Sequence, residues 1–94
     1  MNEQLITVTE YCSIHKIDTT FIDILEESGL VKLVSVRRQR YIPHEALDAI
    51  ERLINWHYEL EVNPQGLEVA DRLYRKIIAL QAEIDQLRAA LKNT

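Results

Sequence analysis

The chain has 94 residues, 47% of them apolar and 28% charged, which bounds it to one folded domain: too short for two cores and too apolar to stay disordered. Eleven Lys and Arg against fifteen Asp and Glu leave a net charge of −4, the wrong sign for a protein whose affinity comes from neutralising phosphates, so nucleic acid is disfavoured as a partner. The single cysteine, Cys12, closes no internal disulfide and suits a reducing compartment; with no basic, apolar leader and no run near the roughly 20 residues of a membrane span, a cytoplasmic protein without membrane attachment is expected.

Two glycines and two prolines leave few places for turns, so regular elements, mostly helical, must hold most of the chain. Leu5-Ile6-Thr7-Val8 is short and β-branched, and Thr9 then offers an N-cap for a brief helix to about Lys16, with Tyr11, Cys12 and Ile14 among its apolar positions. Asp18 or Thr19 can accept the free amides of a second helix, whose Phe21, Ile22 and Leu25 bury one face and whose Gly29 supplies the left-handed residue past its end. From Val31 to Ile42 the pattern turns β-branched around Arg37-Arg38-Gln39-Arg40, which reads as a two-stranded hairpin, a wing with a basic tip. Pro43 suits the first turn of a third helix, in which Ala46, Leu47, Ile50, Leu53, Ile54, His57 and Leu60 recur at helical spacing until about Glu61.

Asn63-Pro64 repeats the start signal, and the helix that follows runs to about Leu91. Its Leu73, Ile77, Leu80, Ile84, Leu87 and Leu91 are separated by 4, 3, 4, 3 and 4 residues, a heptad seam. At about 1.5 Å per residue such a helix reaches roughly 40 Å and outruns a body of this size. Residues 1–62 therefore read as the body and 63–94 as a dimerisation helix, together one compact unit. A bare stripe of Ile and Leu is an aggregation liability, and a second copy across a two-fold axis covers it: a homodimer is expected, its helix pair parallel or antiparallel.

Short strand, helix, turn, helix ending in Gly29-Leu30, hairpin with Arg40-Tyr41, helix and long last helix together resemble the layout of the MerR-type winged helix-turn-helix family. More narrowly, Thr7-Val8-Thr9-Glu10-Tyr11-Cys12, Glu27-Ser28-Gly29-Leu30-Val31, His57-Tyr58-Glu59-Leu60 and Asn63-Pro64-Gln65-Gly66-Leu67-Glu68-Val69, followed by Leu80-Gln81-Ala82-Glu83, resemble the CbpM-type chaperone modulators. That resemblance implies a mainly α fold, a winged helix-turn-helix body with a small β hairpin and a long dimerisation helix. It also implies a small dimeric protein that binds the J domain of a CbpA/DnaJ-like co-chaperone and inhibits its action on Hsp70 (DnaK).

DNA-binding MerR proteins carry an arginine and tyrosines on the second helix. Counting back from Gly29-Leu30, the arginine position falls on Asp23, one tyrosine position on Leu25, and the turn before the glycine becomes Glu26-Glu27. Residues 1–30 hold Glu3, Glu10, Asp18, Asp23, Glu26 and Glu27 against Lys16 alone, a net −5, so base readout would begin with an electrostatic penalty. Lys32, Arg37, Arg38 and Arg40 offset this in part, and Arg37, Arg38 and Arg40 are the candidate nucleic-acid contacts; phosphate contacts of that kind position a protein without reading sequence. The resemblance implies a J domain with a basic helix beside its His-Pro-Asp loop, which Asp18, Asp23, Glu26 and Glu27 would clamp. Glu45, Asp48 and Glu51, at three-residue spacing on the third helix, form a rival stripe.

Other constellations fall short of chemistry. Cys12 and His15 have the spacing of two metal ligands but no second pair nearby; His57 continues an apolar row without a nucleophile beside it; no glycine-rich phosphate loop or Gly-x-Ser-x-Gly is present. Trp56 fits core packing or an interface. The expectation is a binding protein rather than an enzyme, with no metal and no cofactor, and with a MerR-like DNA-binding transcriptional regulator as the alternative and a purely structural interaction protein as a third reading.

Overall fold

In a computed structural model describing residues 5–93, Thr7 both ends the first strand, β1 (Ile6–Thr7), and caps the first helix, α1 (Val8–His15). Glu3, counted among the acids above, lies outside the described residues. The Thr7 hydroxyl accepts from the Glu10 amide at 3.0 Å while the Glu10 carboxylate accepts from the Thr7 amide at 3.3 Å. The cap thus sits two residues before the expected Thr9. Thr7-Val8-Thr9-Glu10 has the spacing of a reciprocal capping box, and Thr9 has no carboxylate three residues on. Lys16 then takes a left-handed conformation (φ 57°) and closes α1.

Asp18 holds the cap position of α2 (Thr19–Glu27), although its side chain accepts no capping hydrogen bond. Gly29, at φ 77°, ends that helix. Its amide donates to the Glu26 carbonyl at 3.1 Å, and the Leu30 amide reaches back to the Leu25 carbonyl at 2.9 Å. This paired reversal returns the chain against the core, with Leu25 buried and Leu30 packed on the buried cluster.

The wing forms from β2 (Val34–Val36) and β3 (Gln39–Ile42), and β1 adds a third strand on the far edge of β3. All pairing is antiparallel, with Ile6 opposite Ile42 and Val34 opposite Tyr41. The expected two-stranded hairpin is therefore part of a three-stranded sheet, because a two-residue strand is too short to show a period of its own. The turn consists of Arg37 and Arg38 alone, both left-handed at φ 51° and 69°.

The single third helix expected from Pro43 to Glu61 is instead three pieces. A tight 3₁₀ turn over His44–Ala46 leads into α3 (Leu47–Ile54), which widens into a π turn over Asn55–Glu59. Packing explains the widening: Trp56 meets the Tyr74 ring edge-on at 5.9 Å, while His57 stacks on Phe21 at 4.5 Å. These partners lie far away in sequence, so spacing along the chain carries no trace of them.

Asn63 caps α4 (Pro64–Lys92), its side-chain oxygen accepting from the Gly66 amide at 2.7 Å. Ile22, Leu25, Ile42, Ile50, Leu53 and Leu67 are the innermost side chains, so the core is drawn from α2, β3, α3 and the root of α4. From Arg75 onward every described side chain of α4 is exposed. The radius of gyration is 16.6 Å, where a compact chain of this length would have about 12 Å. The architecture is mainly helical: a winged helix-turn-helix body with a small antiparallel sheet and a long C-terminal helix. Among the described residues no helix is long and apolar enough to cross a membrane.

Candidate functional site

The second helix of a helix-turn-helix is its reading element, so its exposed face decides what it can touch. In α2 the apolar Phe21, Ile22 and Leu25 point inward and leave Thr19, Thr20, Ile24 and Glu27 exposed, with Asp23 and Glu26 half-buried. No Lys or Arg occurs in the helix. Asp23 and Glu26, nearly one turn apart, share one cation: Arg40 of β3 places one guanidinium nitrogen 2.7 Å from Asp23 and the other 2.9 Å from Glu26. Those hydrogen bonds, first to Asp23 and then to Glu26, push the Arg40 guanidinium above its already high ordinary range. Arg40, expected at the basic tip, instead ties the wing to α2. Arg37 and Arg38 form the tip alone, exposed and without an ion-pair partner among the described residues.

The two acidic groups therefore differ in kind. Asp23 and Glu26 share a single cation, which offsets one of their two charges, while Asp18 and Glu27 are exposed acids near the ends of α2. Glu45, Asp48 and Glu51 are all exposed, and none forms an ion pair among the described residues. Two of them line different clefts: Glu45 lines one at the base of the wing beside Lys32 and Pro43, whereas Glu51 lines a larger one facing α1.

That larger cleft, of about 550 Å³, runs between β1 and α1 on one side and the His44 turn and α3 on the other. Ile6 and Leu47 give it apolar walls, and Tyr11, His15, His44 and Glu51 supply the polar groups. Tyr11 is only 4% exposed, stacks on His15 at 4.1 Å, and its hydroxyl has no hydrogen-bond partner. Burial pushes the Tyr11 phenol up, and the Glu51 and Cys12 charges add to the rise. Sequence reasoning named Glu51 for another reason and missed the cleft. Tyr11 and His15, four apart on one helix, were its only local signal.

Cys12 and His15 part company in the structure: Cys12 is buried in the core, while His15 is exposed on the Tyr11 ring. Burial, reinforced by Asp23, pushes the Cys12 thiol up, away from the reactive thiolate. Among the described residues no three His, Cys, Asp or Glu side chains gather as a metal ion would require. His57 is half-buried with Nδ1 2.8 Å from the Val62 carbonyl, so that nitrogen carries the proton and donates it. Trp56 packs against the core.

A second feature that sequence reading missed lies at the root of α4. Asp71 is 4% exposed, with Arg75 at 2.9 Å and Arg52 of α3 at 3.9 Å; the Arg52 guanidinium also lies 4.0 Å above the Tyr74 ring. Beyond this clasp the seam positions Leu73, Ile77, Leu80, Ile84 and Leu87 are 42–64% exposed, with Leu91 exposed farther along.

No curated protein and no solved structure matches the chain. The family described as MerR HTH family regulatory protein matches residues 6–89, from β1 through the wing to the outer turns of α4, and the chain belongs to that family.

Proposed function

We propose that the protein is a dimeric modulator that binds the J domain of a CbpA/DnaJ-like co-chaperone and inhibits its action on Hsp70, by binding and not by catalysis. The observation that carries this reading is the exposed face of α2. The element that would enter a DNA groove presents Asp23, Glu26 and Glu27 and has no cation of its own, and the one guanidinium held on it, from Arg40, offsets only one of the three carboxylates. A carboxylate facing phosphate repels it, whereas the same face attracts a basic helix. The exposed seam of α4 supports pairing of two chains along that helix.

A second reading, a DNA-binding regulator, is favoured by one observation besides the family description. Arg37 and Arg38 occupy a turn that Asn-Gly would fill without strain, and a cationic tip held at such a site suits phosphate contact. One experiment separates the two. The purified protein is titrated with an isolated J domain and, in parallel, with a labelled DNA duplex, each at low and moderate salt. Saturable J-domain binding that weakens with salt, with no duplex binding, is the expected result. Duplex binding alone would return the protein to transcriptional regulation through the wing.

A further inference from the structure

Two acidic surfaces face the same prospective partner, and their internal chemistry distinguishes them. On α2 the paired carboxylates already hold a guanidinium, that of Arg40, at 2.7 and 2.9 Å. An incoming cation there shares the two carboxylates with it. Glu51 on α3 has no ion-pair partner among the described residues and lines the cleft of about 550 Å³ against α1, within the range of about 300–1,000 Å³ typical of ligand clefts.

A second, independent observation points to a guest. Tyr11 also lines this cleft, is nine-tenths buried, and has a hydroxyl oxygen that meets no donor or acceptor. Buried polar atoms are rarely left so, and this one asks for a partner that the described residues do not supply. The same cleft holds an aromatic pair, Tyr11 on His15, apolar walls from Ile6 and Leu47, and the Glu51 carboxylate, which has no ion-pair partner among the described residues. A flat cation with an apolar stem and several N–H donors satisfies all of these together, and a guanidinium is such a group. An ammonium has the charge but not the plane.

We infer that the cleft between α1 and α3 receives an arginine side chain of the docking partner, its guanidinium paired with Glu51 and donating to the Tyr11 hydroxyl. The assignment rests on the docking role proposed above and narrows it to one side chain. Glu51 is the anchoring acid, and the α2 carboxylates contribute a general attractive field.

The test has two arms on the full-length protein. In the first, amide shifts are followed by NMR during titration with N-acetyl-arginine amide and with its neutral isostere, N-acetyl-citrulline amide. Saturable shifts at Tyr11, His15 and Leu47 with arginine only are expected. In the second, J-domain affinity is measured for the wild type, Glu51→Gln, Tyr11→Phe and, as a control away from both acidic surfaces, Glu59→Gln, an exposed acid. Glu51→Gln should weaken binding about tenfold or more and Tyr11→Phe several-fold, as expected for lost charged and neutral hydrogen bonds, with Glu59→Gln within about twofold. Both cleft variants keep their fold, since Glu51 is exposed and the Tyr11 hydroxyl has no partner to lose; an unchanged melting temperature checks this. Equal shifts with citrulline, or a J domain indifferent to both cleft variants, overturn the assignment. If the J domain does not bind but arginine still titrates the cleft, the co-chaperone reading falls and the cleft stands. If neither binds, both fall.

Discussion

Gly66 shows how one atom can reverse a general rule. Replacing glycine by alanine inside a helix ordinarily gains about 1 kcal/mol. Here a Cβ would lie 2.8 Å from a Val62 methyl and 3.1 Å from the Asn63 side-chain oxygen that caps α4. The Val62 side chain is β-branched and stiff, so the clash is relieved only by disturbing the cap. Gly66→Ala should therefore lower stability by about 1 kcal/mol or more, measured by urea denaturation; a gain would mean that Val62 yields freely. The same residue-by-residue view explains why the site was only partly legible. The acids of α2 could be read directly, because Asp23, Glu26 and Glu27 stand in one helix. The pairing of Asp23 and Glu26 with Arg40 could not, since that contact spans a turn, a strand and the wing tip.

At the scale of elements, local signals were the legible ones. Gly29 past α2 and Asn63-Pro64 before α4 mark ends through the chemistry of the residues themselves, and the structure uses both as expected. The wide turn after α3 and the third strand depend on partners elsewhere in the chain, and spacing could not disclose them. The wing tip carries a prediction of its own. Arg37 and Arg38 both hold positive φ, which costs a residue with a Cβ roughly 1–2 kcal/mol. Arg38→Gly should thus raise stability by about 1 kcal/mol, part of the relief being lost to the freedom glycine has when unfolded. A fall in thermal midpoint would show that the Arg38 side chain supplies contacts worth more than the strain it imposes.

For the whole molecule, the governing fact is that the buried side chains of a 29-residue helix, Leu67 and Asp71, lie near its beginning. The seam beyond is apolar and exposed, and the proposed pairing with a second copy would remove it from water. The wild type should sediment as a dimer, and Leu80→Lys, which places a charge at the middle of the seam, should sediment as a monomer with its body still folded; a variant that stayed dimeric would place the interface elsewhere. The spacing of the seam was fully legible in the sequence, whereas its anchorage was not, because Asp71 and Arg52 reveal their bond only once α3 and α4 cross. Mechanically, the helix is a cantilever clamped at Leu67 and Asp71. About 30 Å of rod extends past that clamp, so a tilt of about 5° at the root sweeps the free end through roughly 3 Å. Packed side chains lose a good part of their attraction over gaps of about 1 Å. The pose of Arg52 over the Tyr74 ring therefore aims the outer turns, and a small repacking there is magnified at a distance where neither residue makes any contact.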